Sequence, residues 1–247
     1  MTLLSHQAED IRALLDRADP GAVWAVGGPE GAHAGSHPRS SSPQDADTPF
    51  DVGGLTAVLA LWPVVGTLVA EGALQLHTPL AAYGDTGSPV PAGTTAHHLL
   101  THADGTAALT GLAEHLGGGA LADLATTRVW QPLGMTGTRF AEGTLHAPLA
   151  DLVRFLSQVV APDDTDRAAW AAESLRIRTG ELTPARGLLW HPAPHDVWVH
   201  PAPTPGGPAL WVCPRRRRWA LLLPGGARAG SLRGAFRDAV FAPAGAR

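Results

Sequence analysis

The residues able to carry covalent or metal chemistry are few and unevenly distributed. The chain has twelve histidines, one cysteine (Cys213) and one tyrosine (Tyr83), and all 18 of its basic side chains are arginine, with no lysine and no asparagine. No mechanism needing a lysine amine, an asparagine amide or a second tyrosine can run within it. His98 and His102 stand four apart, the spacing that puts two zinc ligands on one helical face, but no glutamate-bearing H-E-x-x-H pattern accompanies them. His191, His195 and His200 lie in a strand-rich stretch without ligand spacing. These read as structural histidines, and no metal or other cofactor is expected. Cys213 ends the apolar run Ala209-Leu210-Trp211-Val212, which reads as a strand with a structural thiol. Arg215 to Arg218 form a basic run, read as a solvated turn between two strands rather than an anion site. Ser231, in Gly230-Ser231-Leu232-Arg233-Gly234, lacks the glycine spacing of a nucleophile elbow and reads as a helix N-cap.

The elements that must position these residues follow from periodicity and punctuation. Ser5 to Arg17 is a helix with Ile11, Leu14 and Leu15 on one side. Ala22 to Val26 is a strand, Gly27-Gly28 a turn, and Ala32 to Ser36 a weaker strand. His37 to Thr48 is rich in Ser, Pro and Asp and reads as a loop. An apolar helix runs from about Leu55 to Glu71, with Pro63 expected to kink or break it and Gly72 to stop it. Shorter helices follow at Thr94 to Thr101, Ala107 to Leu116 and Ala120 to Trp130, then an amphipathic one at Ala147 to Val160 and another at Asp166 to Arg176. Strand-like runs at Gly187 to Trp190, Asp196 to His200, Ala209 to Cys213 and Trp219 to Leu223 precede a closing helix, Ser231 to Phe241.

This order predicts an α+β fold: an antiparallel sheet built from both ends of the chain, flanked by the terminal helices, with a reduced all-helical subdomain inserted. The single domain would comprise a sheet part at about 1–75 and 180–247 and a helical part at about 76–179. With 45% hydrophobic and 16% charged residues, 247 residues suffice for one sizeable core. A net charge of −4 offers no broad basic surface, so nucleic acid is not an expected partner. Val52 to Ala70 carries no charge over 19 residues, but no second span or arginine flank accompanies it, so it reads as a buried helix rather than a membrane span. Met1 to Ile11 has charged residues and no apolar signal core, which points to a cytoplasmic location.

Several segments, in order, resemble the class C β-lactamase and esterase branch of the serine β-lactamase and penicillin-binding-protein-like family. Thr48-Pro49-Phe50-Asp51-Val52-Gly53-Gly54-Leu55-Thr56-Ala57 is similar to the approach to that family's S-x-x-K motif. His98-Leu99-Leu100-Thr101-His102-Ala103-Asp104-Gly105 resembles its H-L-L-T-H-x-S-G signature, and Gln131-Pro132-Leu133-Gly134-Met135-Thr136-Gly137-Thr138 its P-L-G-M-x-x-T segment. Glu71 to Leu76, Thr78-Pro79-Leu80, Asp151 to Phe155 and Leu210 to Pro214 supply weaker matches.

The resemblance implies a serine hydrolase fold, and it breaks at the chemistry. A serine and a lysine three residues apart share a helical face, so the amine can take the hydroxyl proton. Here those positions hold Gly54 and Ala57, with Thr56 between them and expected to point elsewhere. The family's Tyr-x-Asn loop has no counterpart between Gly105 and Gln131. Its K-T-G or H-x-G strand is matched only by His200-Pro201-Ala202 and the following Thr204-Pro205-Gly206-Gly207, where Pro201, Pro203 and Pro205 remove edge donors. The expectation is a pseudoenzyme with no catalytic residues. Its ligand cleft would be formed by Gly54, Thr56, Ala57, His200, Thr204, Gly206 and Gly207 and would take an unidentified small molecule or protein. The alternative is an esterase or amidase with a relocated nucleophile at Thr56, Ser88 or Cys213.

Overall fold

Residues from both ends of the chain share one sheet. The computed structural model describes residues 3–29, 31–36, 48–84, 89–102, 105–180, 184–201, 206–225 and 230–243. Strands β1 (Val23–Gly28), β2 (Gly31–Ser36), β6 (His191–Ala193), β7 (Val197–Pro201), β8 (Ala209–Cys213) and β9 (Arg218–Leu223) form an antiparallel sheet in the order β2-β1-β9-β8-β7-β6. The central pairing joins Val23 to Leu223. Both faces of β1, β8 and β9 are covered, which is why these strands read as unbroken apolar runs. Trp24, Val26, Trp211, Cys213, Ala220 and Leu222 pack under α1 (Leu3–Ala18) and α8 (Gly230–Phe241). Val23, Ala25, Leu210, Val212, Trp219 and Leu221 face the remaining helices. Among these, α6 (Leu149–Val160) lies directly on the sheet, burying Leu152, Phe155, Leu156 and Val159. Fully burying each such side chain contributes about 1.5–3 kcal/mol. The expected antiparallel sheet between terminal helices and an inserted helical layer is therefore what the chain builds.

The apolar helix is the centre of that layer. Leu55, Val58, Leu59, Leu61 and Val65 have no solvent exposure. No helix among the described residues is long and apolar enough to cross a membrane. The helix is not uniform. A 3₁₀ turn at Gly53–Leu55 leads into a π-helical turn at Ala57–Leu61, and regular α-helix, α2 (Trp62–Ala70), follows. Pro63 thus sits in the first turn of the regular segment, where a missing N–H costs least. Pro63 cannot donate to the Leu59 carbonyl four residues before it, and the buried Trp130 indole donates there instead, at 2.9 Å. The anticipated break at Pro63 is a change of helical pitch rather than an interruption.

Gly66 solves a second packing problem in α2. A Cβ there would lie 2.5 Å from the Trp170 ring, whose indole N–H reaches the Trp62 carbonyl at 3.0 Å. Trp170 belongs to α7 (Thr165–Ser174), which is capped by the Asp164 carboxylate accepting from the Asp166 and Arg167 amides.

Several expectations need correction. Gly27 and Gly28 are not a turn: both belong to β1, and Gly27 is glycine because the Trp219 ring lies 2.3 Å from where its Cβ would be. Gly187 to Trp190 is not a strand. Leu188 and Trp190 are buried, but Leu189 adopts φ 64° and turns the chain, so pairing begins only at His191. Ala147 and Pro148 do not open a helix. They end β5 (Thr144–Pro148), which pairs with β3 (Pro49–Asp51) and β4 (Arg139–Ala141) in a small second sheet, so the inserted region is not all helical. Helix α8 starts at Gly230, which puts Ser231 inside the first turn rather than at the cap. The loop at 37–47, Ser88, Pro203, Thr204 and Pro205 lie outside the described residues.

Substituting Gly66→Ala tests the tryptophan contact. Helix propensity alone favours alanine by up to about 1 kcal/mol. The clash with Trp170 is expected to reverse the sign and cost about 1–3 kcal/mol, read as a lower urea midpoint at an unchanged slope.

Candidate active-site cleft

The site predicted from sequence centres on the start of the central helix. Its position is set by the small sheet: β3 pairs with β5, and the Val52 amide donates to the Leu145 carbonyl at 2.8 Å. The Asp51 carboxylate then accepts from the Gly53 amide at 2.8 Å, turning the chain into its first helical turn. That turn packs against β7. Gly54, Thr56 and Ala57 are half-buried there. The Thr56 hydroxyl donates to the Gly53 carbonyl at 2.8 Å, so it is turned back onto its own backbone.

His200 enters from β7 on the same side. It pairs across the sheet with Leu210, which belongs to the core cluster that holds Val52 and Leu55. The register therefore puts His200 on the sheet face that carries the Gly54 turn. Its ring is buried, meets Trp190 edge-on at 6.2 Å and lies 2.7 Å, through Nδ1, from the Leu189 carbonyl. A carbonyl accepts only, so Nδ1 carries the proton and Nε2 the lone pair. Burial drives the His200 pKa down to about 4, against the opposing effect of the Leu189 hydrogen bond. At neutral pH the ring is an uncharged hydrogen-bond acceptor, too weak a base to hold a proton. Trp190 Nε1, beside it, is buried with no hydrogen-bond partner among the described residues. Sequence reasoning missed both Trp190 and the Leu189 carbonyl, because they sit in the stretch read as a strand.

The remaining candidates are less closely grouped. Gly206 has φ 82°, and the Gly207 carbonyl accepts from Arg233 Nε at 3.0 Å, which ties this loop to α8. Cys213 is fully buried on the opposite sheet face, beneath the terminal helices, with Arg216 Nε 3.4 Å from its sulfur. His98 and His102 serve the backbone: His98 Nδ1 accepts from the Thr95 amide in a capping box, and His102 Nδ1 lies 2.8 Å from the His98 carbonyl. The arginine run is a turn, as expected, with Arg217 at φ 51° and Arg216 donating to the Phe241 and His195 carbonyls at 2.8 and 2.6 Å.

A sheet fed by both ends of the chain, a buried helix starting beside strand β7, and helices covering that face form an architecture shared with known structures. A β-lactamase from Mycobacterium bovis superposes with a TM-score of 0.73 at 22% identity, over 94% of this chain and 98% of that one. A class C β-lactamase from Rhodobacter sphaeroides gives 0.71 at 13% identity, over 93% and 97%. An octameric penicillin-binding protein homologue from Pyrococcus abyssi gives 0.71 at 13%, over 93% of this chain and 75% of that one. The fold is β-lactamase-like. In sequence, no family model and no curated protein matches. The β-lactamase-like fold thus stands on its three-dimensional arrangement, and Gly54 heads the buried helix within it.

The His200 ring makes the stability of this β-lactamase-like fold depend on acid. Its folded pKa lies below the unfolded value of 6.5, so the folded state resists protonation. Its contribution is complete above pH 6.5 and is lost as pH falls toward 4, by roughly 3 kcal/mol in all. His97 and His191, both lowered chiefly by burial, act in the same direction. Urea midpoints measured from pH 7 to pH 4.5 are expected to fall steeply for the wild type and less steeply for His200→Gln.

Proposed function

We propose that this chain is a non-catalytic relative of the β-lactamase-like hydrolases, a pseudoenzyme whose cleft binds a small molecule or a partner protein. The observation that carries the reading is the start of the central helix. Acyl transfer in this fold needs a nucleophile and a base within hydrogen-bonding reach of each other, and the two positions that would supply them hold Gly54 and Ala57, which have no functional side-chain atoms. The chain offers no lysine elsewhere to replace the base.

The positions of the other nucleophile candidates favour the same reading. The Thr56 hydroxyl is occupied by the Gly53 carbonyl, and Cys213 lies across the sheet from the cleft. In this reading the cleft runs between the sheet part, about 1–75 and 180–247, and the helical part, about 76–179. It is lined by Gly54, Thr56, Ala57, His200, Gly206 and Gly207. Removing the serine and lysine side chains leaves that end roomier and more apolar, with the His200 ring as a neutral acceptor.

The test is direct. The purified protein is expected to leave nitrocefin and p-nitrophenyl esters unhydrolysed above background, and to keep its intact mass after incubation with benzylpenicillin or a fluorophosphonate probe. Gly54→Ser alone is expected to stay inert because no proton acceptor is restored, whereas Gly54→Ser with Ala57→Lys acylates slowly and deacylates poorly. Robust wild-type turnover abolished by a substitution at Thr56, Ser88 or Cys213 would establish the relocated nucleophile instead.

A further inference from the structure

Two histidines outside the cleft stand side by side with their ring nitrogens unused. His77 lies in the connection after the central helix and His97 in α3 (Ala96–Thr101). The backbone holds these segments together: the His97 amide donates to the Leu76 carbonyl at 2.9 Å, and Pro79 bridges to Thr95. The two ring centres are 4.8 Å apart, with the planes inclined at 34°. Among the described residues neither ring makes a hydrogen bond. His77 is exposed. His97 is half-buried, yet neither of its nitrogens is among the buried polar atoms that lack a partner, so both reach solvent. Elsewhere His98, His102, His115 and His200 each commit one nitrogen to a backbone group.

The separation of the rings is the one that a shared ion requires. An imidazole nitrogen sits about 2.0–2.1 Å from a bound ion and about 1.1 Å in front of its ring centre, so each centre lies about 3.2 Å from the ion. Two rings on one ion then have centres about 4.5 Å apart at a right angle and about 5.2 Å apart at the tetrahedral angle. The observed 4.8 Å lies between the two. The outer torsion of a histidine is broad, so the exposed His77 ring can turn a nitrogen toward His97 without moving its Cα.

Ligation also needs neutral imidazole. His97 is held below its ordinary pKa by burial first and then by His77, with smaller effects from His98, Arg178 and His102, so its lone pair is available at neutral pH. Of these neighbours only Arg178 is permanently charged, and it is paired with Glu173. Among the described residues no third histidine, cysteine or carboxylate completes a ligand set. The ion would therefore keep water at its other positions, unlike a structural zinc site with four protein ligands. For such a nitrogen and oxygen set, copper(II) binds most tightly among the first-row divalent ions.

We propose that His77 and His97 form a surface site for a divalent transition-metal ion, copper(II) most tightly, held by two imidazole nitrogens and water. Titrating copper(II) into the full chain at pH 7, followed by electron paramagnetic resonance and calorimetry, tests it. The first equivalent is expected to show coupling to two imidazole nitrogens. His77→Gln should weaken that site about a hundredfold, the worth of a second tethered ligand, and leave a one-nitrogen signal. His97→Gln should do the same, while His102→Gln, which removes a neighbouring imidazole, should change neither readout. Circular dichroism melting checks that each variant is folded, and if His97→Gln is not, the exposed His77→Gln decides alone. No copper binding to the wild type, an unchanged first site in folded His77→Gln, or a loss in folded His102→Gln as large as in His77→Gln would each overturn the proposal.

Discussion

A proline in the most buried helix removes one donor from the protein's centre, and the surrounding structure is organised around replacing it. The Leu59 carbonyl receives no hydrogen from Pro63 and takes one from the Trp130 indole, which comes from a different helical segment 71 residues further on. A carbonyl left unsatisfied at that depth would cost about 1–3 kcal/mol. The contact therefore fixes how the Thr126–Trp130 turn lies against the central helix. The π-helical turn at Ala57–Leu61 belongs to the same adjustment, since its wider pitch passes the chain into α2 with Pro63 already in the first turn. On the next face, Gly66 admits Trp170, whose indole donates to the Trp62 carbonyl, while the Trp62 indole donates to Ser174 Oγ. The helix that begins at the candidate cleft is thus held along its length by tryptophans.

The family-like segments that persist all have visible structural work. His98 closes a capping box with Thr95. Gly105 is required because a Cβ would lie 2.5 Å from the Leu99 carbonyl oxygen. The buried Asp151 carboxylate accepts from the Gly137 amide and the Thr138 hydroxyl, both at 2.9 Å, and from Arg154 at 2.8 Å, so it joins the P-L-G-M-x-x-T-like stretch to α6. In the proposed reading, Gly54 and Ala57 stand where the S-x-x-K serine and lysine would be.

Long, strongly patterned elements were legible in the sequence. Helix α6 announced itself by period, and β8 and β9 by apolar runs between turns. The placing of Gly54 and Ala57 at the S-x-x-K positions rests on the flanking motifs alone, whereas the side of the sheet facing His200 follows from strand alternation once β7 and β8 are paired. Elements whose cause lies far away in the chain were not legible. Strands β3 and β4 have three residues each and acquire a partner only through β5, so no local period marks them. Gly187 to Trp190 carries the apolar content of a strand but buries it in a turn, with Leu189 at positive φ. An aromatic-walled pocket of about 290 Å³ between α2, α6 and α7 draws residues from Trp62 to Ala171 on four segments, and no spacing in the sequence brings them together.

The pairing of Val23 with Leu223 bears on how the protein is made. Strand β1 leaves the ribosome early, yet its neighbour in the sheet is two hundred residues away, and the hairpin with β2 is all it can form meanwhile. Two-stranded ribbons are marginal in water, so the face of Val23 and Ala25 waits uncovered while the helical layer is synthesised. Contacts of such long sequence separation slow folding and leave apolar edges open to association. Sheet closure therefore waits for β9, and the hydrogen bonds from Gln7 in α1 to the Ala239 and Val240 carbonyls seal it only once α8 has formed.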